Sequence, residues 1–222
     1  MEKGTEETYH INKTRDCEKL GINLIHIYDF EWSYNKVACK NMIIRFLALN
    51  EKPISNYSII KIDCDTAMKY FNINTLDKIS KPSLTYGLVE DGNIVSMLAL
   101  SHPKYNKKYE WEILGHAESV HYSNSLNLLI SEFENDQKPK SIISYIDRRL
   151  SNGYDLKNCG YRLVNSTNQN RWFWYHKKFN GLESEMKMKM SDLSKILKNY
   201  NPSLSYLDNL KNNDYFSIYD CG

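Results

Sequence analysis

The chain has 222 residues, 41% of them hydrophobic and 25% charged, which is enough for one large domain or a medium domain with a small one. Its 29 Lys and Arg nearly balance 27 Asp and Glu, which excludes a polycation that binds nucleic acid through net charge alone. We expect neither a transmembrane helix nor a secretory signal, because no apolar run reaches about 18 residues and residues 1–10 lack an apolar stretch. The five scattered cysteines form no CxxC pair, so we expect a reducing compartment and no zinc site.

Apolar spacing and capping residues predict a small helix–strand–helix piece at the start of the chain. Its elements are a helix over 12–20 that ends at Gly21, an apolar strand over 22–28 and a helix over 35–49. The following segment, 51–57, contains Pro53, Ser55 and Asn56 and is the best linker candidate.

From residue 58 the pattern alternates between strands and helices. The predicted strands are 58–64, 84–89, 94–100, 110–119, 141–146, 161–164, 171–176 and 215–219. The predicted helices are 65–71 with Asp65 as N-cap, 124–133, 154–159 and a Met- and Lys-rich helix over 183–199 that Pro202 ends. Asp91-Gly92 between two apolar runs predicts a β-hairpin.

The predicted fold class is α/β. The element order from residue 58 is similar to that of GNAT-type acyltransferases, which implies a mixed sheet that splays at its centre. We therefore expect a helix–strand–helix remnant over 1–52, a GNAT-like domain over 58–180, and a C-terminal helix with a short closing strand over 181–222.

Several segments resemble bacteriophage Vsr-like (EDxHD-type) homing endonucleases. The first runs from Tyr9-His10 through Lys13-Thr14, Cys17 and Leu24-Ile25-His26-Ile27-Tyr28 to Glu31-Trp32. The resemblance continues into the region that follows this nuclease domain in phage proteins. The matching residues there are 103–112, 139–145, 147–149, 151–153, 160–161 and the closing 218–222.

The resemblance implies a phage protein in the host cytoplasm with a residual nuclease site at His10, Lys13 and Glu31. The family places its metal-binding carboxylates upstream of the Tyr-His pair, and only nine residues precede His10 here. We therefore expect no metal site in this chain by itself. Mg²⁺ would bind only if a partner chain supplied the missing nuclease half.

The GNAT resemblance implies acyl-CoA as a cofactor, with Glu112 as general base and Asp147 at the turn that shapes the substrate site. Such enzymes hold a pyrophosphate on backbone N–H groups at a Gly-rich turn that leads into a helix. The corresponding turn, residues 120–125, contains no glycine, so the sequence does not indicate acyl-CoA binding.

Basic residues concentrate in residues 138–189, which carry 11 basic and 4 acidic side chains. Arg148-Arg149 follows a predicted strand and is suited to phosphate, or instead forms an ion-pair cluster with Asp147 that fixes the turn. Residues 171–178 interleave aromatic and basic groups, which suits base stacking or an ordinary core strand. The candidate nucleic-acid-binding residues are Arg148, Arg149, Asn152, Tyr154, Arg171, Trp172, Trp174, Lys177 and Lys178.

The leading hypothesis is a DNA-associated accessory protein of the homing-endonuclease family that binds nucleic acid through its basic C-terminal half and does not cleave it alone. The first alternative is a GNAT-like N-acyltransferase that modifies a base, small molecule or protein. The second is an interaction protein that blocks a host factor. DNA is the expected partner, and no membrane is expected.

Overall fold

The computed structural model describes residues 8–49, 51–119, 121–175 and 182–221, and it confirms the α/β class. The helices are α1 Tyr9–Lys19, α2 Asp29–Tyr34, α3 Lys36–Phe46, α4 Cys64–Asn74, α5 Ser125–Gln137, α6 Tyr154–Asn158, α7 Leu193–Ile196 and α8 Tyr206–Asn212. The strands are β1 Tyr57–Lys61, β2 Leu84–Glu90, β3 Asn93–Ser101, β4 Trp111–Glu118, β5 Ile142–Ser144, β6 Arg171–Tyr175, β7 Glu183–Ser184 and β8 Tyr215–Tyr219.

The chain divides into two compact units that are interleaved in sequence. Unit 1 comprises Met1–His26, Asp147–Arg149 and Asn165–Gly222, and unit 2 comprises Ile27–Ile146 and Leu150–Val164. The boundaries at 1–52, 58–180 and 181–222 remain a prediction about domains.

Unit 2 contains a five-stranded sheet in the order β1-β2-β3-β4-β5. Its first four strands are antiparallel neighbours. The predicted hairpin is confirmed: Glu90 pairs with Asn93, and Asp91 and Gly92 between them have φ of 48° and 77°. Two consecutive positive φ angles are typical of the tight turn that Asp-Gly favours.

The mixed character of this sheet comes from β4 and β5, which run parallel. They pair at only three positions, from Trp111↔Ile142 to Ile113↔Ser144, although β4 continues to Glu118. Helices cover both faces of the sheet. Leu129, Ile130 and Phe133 of α5 pack in a core on one face, and Ala67 and Phe71 of α4 pack in a core on the other.

Unit 1 contains a three-stranded antiparallel sheet in the order β7-β6-β8. Phe173 of β6 is buried in a core with Met188, Leu193, Leu197 and Leu210. The predicted strand over 215–219 is confirmed as β8. Helix α8, which the sequence analysis missed, begins where the Ser205 hydroxyl accepts a hydrogen bond from the Asp208 N–H.

Two predicted strands are wrong. Residues 22–28 have no regular secondary structure, although they are apolar, and their backbone forms no sheet ladder with the described residues. Residues 161–164 are also irregular, and Leu163 and Val164 are 82% and 68% exposed. Apolar composition predicted strands here, but a strand also needs a partner for its backbone groups.

The predicted helix over 183–199 is also wrong. Glu183–Ser184 pairs with β6, short 3₁₀ turns follow, and α7 takes up only four residues. Apolar residues spaced two apart cannot share one helical face, and Met188 is buried whereas Met190 is 53% exposed. Elsewhere, Asp63 rather than Asp65 is the N-cap of α4, and its carboxylate accepts from the Thr66 N–H.

No helix among the described residues is long and apolar enough to cross a membrane.

Candidate nucleic-acid interface

The loop between β3 and β4, residues 102–110, presents three exposed lysines and an exposed tyrosine in unit 2. Lys104, Lys107 and Lys108 are exposed, and Tyr105 is 77% exposed. The Lys104 Nζ lies 5.3 Å from the centre of the Tyr105 ring. This loop therefore combines positive charge with an accessible aromatic face.

Hydrogen bonds and stacking fix the shape of this loop. The Lys107 Nζ donates to the Pro103 carbonyl, and the Lys108 N–H donates to the Asn106 Oδ1 at 3.4 Å. At the end of the loop, the His102 ring lies 4.5 Å from the Trp111 ring. A loop held in this way loses less conformational freedom on binding than an unconstrained one.

The loop between α5 and β5 is a second basic segment, in which Lys138 and Lys140 are exposed. Glu110 joins the two segments: its Oε2 accepts from the Lys140 N–H at 2.7 Å, and its N–H donates to the Ser141 Oγ at 3.1 Å. We call the five lysines and Tyr105 the lysine surface; its members are Lys104, Tyr105, Lys107, Lys108, Lys138 and Lys140.

The ammonium groups of the lysine surface are not neutralised by ion pairs. Among the residues that the structure describes, none has a carboxylate oxygen within 4 Å. The nearby carboxylate of Asp136 is taken up by Lys61 and Tyr86, and the bond from Lys61, followed by that from Tyr86, lowers its pKa. The positive charge therefore faces solvent, where a polyanion can reach it.

Arg149, a predicted phosphate contact, requires a correction. Its side chain is 3% exposed, its Nε donates to Asp147 at 3.2 Å, and its Nη1 donates to the His26 carbonyl at 3.1 Å. Arg148 forms an ion pair with Glu18, in which its Nη2 lies 2.8 and 2.9 Å from the two carboxylate oxygens. A guanidinium buried in this way cannot reach a phosphate, so Arg149 is a structural residue, as the ion-pair alternative stated.

The predicted aromatic and basic stretch also forms internal contacts in unit 1. The Arg171 Nε donates to the Tyr219 hydroxyl at 2.7 Å, and its Nη1 lies 3.2 Å from Glu185. The Trp172 Nε1 donates to Asp220 at 2.7 Å. The side chain of Trp174, and all of Lys177 and Lys178, lie outside the described residues.

Asn152 and Tyr154 lie at the start of α6 in unit 2. The Asn152 Oδ1 accepts from the Tyr154 N–H at 2.9 Å, which is a turn-forming bond. Tyr154 is 59% exposed. Of the described residues predicted to bind nucleic acid, these two are the ones whose side chains are exposed.

The residual nuclease residues occupy different surroundings. The Nδ1 atoms of His10 and His26 lie 3.4 Å apart, and the His26 Nε2 lies 2.8 Å from the Thr14 Oγ1. Burial, followed by the charge of Lys13, lowers the pKa of His10. Lys13 is exposed on α1. Glu31 is 3% exposed, and its Oε2 accepts from the Tyr28 N–H, so it caps α2.

The acyltransferase residues are also placed. Glu112 is half-buried on β4, burial raises its pKa, and the bond from Lys104 opposes that rise. Asp147, in unit 1, accepts from both the backbone and the side chain of Arg149.

A buried carboxylate lies at the turn where the resemblance implies a pyrophosphate. Glu118 is 6% exposed and accepts from the hydroxyl of Ser125, the first residue of α5. Its other oxygen lies 3.2 Å from the His121 Nδ1. The position before α5 thus already contains an anion.

The sequence analysis missed the lysine surface. The residues 103–112 entered it only as part of a family resemblance, and the acidic excess of residues 61–137, with 7 basic and 11 acidic side chains, conceals them in a segment average. The available signal was local: Lys104-Tyr105-Asn106-Lys107-Lys108 lies between two predicted strands.

Comparison with protein-family models and with curated proteins found no match to this chain. Within the described part of the chain, no group of three or more His, Cys, Asp or Glu side chains is arranged to hold a metal ion.

Proposed function

We propose that this chain is a nucleic-acid-binding accessory protein, and that the lysine surface is its principal contact with phosphates. The observation that carries the proposal is a set of five exposed lysines, free of ion pairs with the described residues, on two segments that Glu110 joins. Lysines attract a phosphate backbone without reading its sequence. We further propose, from the resemblance in the first 32 residues, that the protein derives from the homing-endonuclease family and acts in the host cytoplasm.

Binding rather than cleavage is part of this proposal. Glu31, one of three residues carried over from the nuclease resemblance, uses its carboxylate to cap α2. A carboxylate committed to a helix cap is not available to orient a metal ion.

The test is a fluorescence-anisotropy titration of labelled duplex DNA at several salt concentrations. The variant is Lys108→Gln, Lys138→Gln and Lys140→Gln together, and the matched control carries the same charge change at the exposed Lys40, Lys69 and Lys81 of unit 2. We expect the variant to bind more weakly and its log–log salt slope to fall by about 2 to 3. The control should retain a slope within about one of the wild type.

Equal slopes for variant and control would contradict the lysine surface as the contact. Absence of any anisotropy change with wild-type protein would reject binding of duplex DNA. Cleavage products in Mg²⁺ with the wild type, lost in a His10→Ala variant, would show that the chain is a nuclease.

An acyltransferase is the second candidate, and the observation that favours it is the parallel β4–β5 pair, which covers three positions of the longer β4. The buried Glu118 carboxylate at the start of α5 opposes an anionic cofactor there. A rise in melting temperature with acetyl-CoA would support this candidate, because a ligand that binds only the native state stabilises it.

A further inference from the structure

We propose that the lysine surface takes single-stranded nucleic acid, with one unpaired base stacked on the ring of Tyr105. This inference rests on the proposed function and specifies its ligand class. It adds a base contact to the phosphate contacts of the lysines.

The exposure of Tyr105 carries the first step. At 77% it has the highest exposed fraction of any aromatic side chain among the described residues. A tyrosine held this far from the core contributes little packing energy to the fold, because hydrophobic stabilisation scales with the apolar area removed from water. Its ring is therefore free to pack against an aromatic ligand.

The position of Lys104 carries the second step. Its ammonium lies 5.3 Å from the centre of the Tyr105 ring, so it sits on one side and leaves the opposite face for a base. The same ammonium carries a positive charge that attracts the phosphate backbone of a bound strand. Stacking on aromatic side chains flanked by basic groups is how many proteins hold unpaired bases.

The surrounding loop carries the third step. Pro103, two residues before Tyr105, is buried. The Lys107 Nζ donates to its carbonyl, and the Lys108 N–H donates to the Asn106 Oδ1 at 3.4 Å. These contacts hold the tip of the loop, so Tyr105 needs little reorganisation to bind. No described helix projects from this loop for insertion into a major groove. A loop with one exposed ring suits a flexible single strand better than a paired duplex.

The experiment compares three labelled ligands of equal length by anisotropy: a single strand of thymidines, the same strand with abasic residues, and a duplex. The variants are Tyr105→Ala and Tyr105→Trp, and the control is Tyr57→Ala, a 43% exposed tyrosine on β1 of the same unit. We expect Tyr105→Ala to weaken binding of the thymidine strand by about 5- to 150-fold. Tyr105→Trp should retain it, and Tyr57→Ala should match the wild type.

The abasic strand separates stacking from charge. It presents phosphates without bases, so Tyr105→Ala should leave its affinity within about twofold of the wild type. A single-stranded RNA of the same length tests whether the 2′-hydroxyl changes the affinity. Poly-glutamate tests whether any polyanion competes with the thymidine strand.

Two results would overturn the inference: an equal affinity of wild type and Tyr105→Ala for the thymidine strand, or competition by poly-glutamate as strong as that by the strand itself. If the triple lysine variant still loses duplex and single-strand affinity while Tyr105→Ala loses neither, nucleic-acid binding stands and base stacking fails. If the wild type binds none of the ligands, both proposals fail.

Discussion

Arg149 and His26 lie 123 residues apart in the chain and are joined by two hydrogen bonds, one between their backbones and one from the Arg149 side chain. The His26 N–H donates to the Arg149 carbonyl at 2.9 Å, and the Arg149 Nη1 donates back to the His26 carbonyl at 3.1 Å. The irregular segment around His26 thus obtains from Arg149 hydrogen bonds that a strand would obtain from a neighbouring strand.

Replacing Arg149 should therefore change stability rather than binding. We expect Arg149→Ala to lower the free energy of unfolding by about 2–4 kcal/mol, because it removes the buried guanidinium that donates to the Asp147 carboxylate and to the His26 carbonyl. Arg148→Ala, which removes a more exposed ion pair, should cost at most about 1 kcal/mol. Urea titration measures both. A similar loss for the two variants would contradict the structural role of Arg149.

The pKa of His26 makes stability depend on pH. Burial, followed by the charges of His10, Lys13 and Arg149, lowers this pKa from 6.5 to about 4. The unfolded chain therefore binds the proton first, and stability should decrease as pH falls from 6.5 towards 4. In urea titrations across this window, the slope of the unfolding free energy against pH reports how many more protons the unfolded state binds. His26→Gln should reduce that number by up to one. An unchanged slope would show that His26 is protonated equally in both states.

The buried Glu118 and the half-buried His121 form a pair whose pKa values shift in opposite directions. The hydrogen bond that the His121 ring donates to Glu118 raises the pKa of His121, and the pKa of Glu118 is lowered because its partners outweigh the effect of burial. The contribution of the pair to stability should be lost as pH rises through the His121 pKa above 6.5, and as pH falls through the Glu118 pKa below 4.5.

The test of this pair is an NMR titration of the His121 ring. Glu118→Gln should bring the His121 pKa down towards 6.5, whereas Glu51→Gln, which removes a more distant charge, should lower it less. Equal effects of the two variants would mean that general charge, and not the hydrogen bond, sets the His121 pKa.

Gly115 on β4 permits a close approach of α4 and the segment after it. A Cβ at this position would lie 2.9 Å from the Ile79 Cγ2 and 3.2 Å from the Phe71 Cε1. We expect Gly115→Ala to destabilise the protein by about 1–3 kcal/mol through overpacking. Ile79→Ala in the same chain should recover part of that loss, so a double-mutant cycle should give a favourable coupling. Strict additivity would contradict the steric explanation.

Much of the fold followed from local signals. The apolar runs of β2 and β3, the Asp91-Gly92 turn and the helix α5 agree with their prediction, because each is decided by residues close in sequence. The strand prediction at 22–28 was wrong because this segment has no neighbouring strand among the described residues, and the His26 N–H donates to the carbonyl of Arg149 in a loop. The site was harder still: whether Arg148 and Arg149 face solvent depends on Glu18, Asp147 and His26, which no spacing rule brings together.

Unit 1 is assembled from segments that lie far apart in the chain, which has a consequence for folding during synthesis. Its α1 contacts the far end of the chain, where the Thr14 Oγ1 donates to the Cys221 Sγ at 3.3 Å, and its sheet needs β8. The five strands of unit 2 all leave the ribosome within residues 57–144 and can pair as they emerge. Residues 8–26 can make their contacts with residues 215–221 only after translation has reached β8, so unit 1 completes its fold after the strands of unit 2 have emerged.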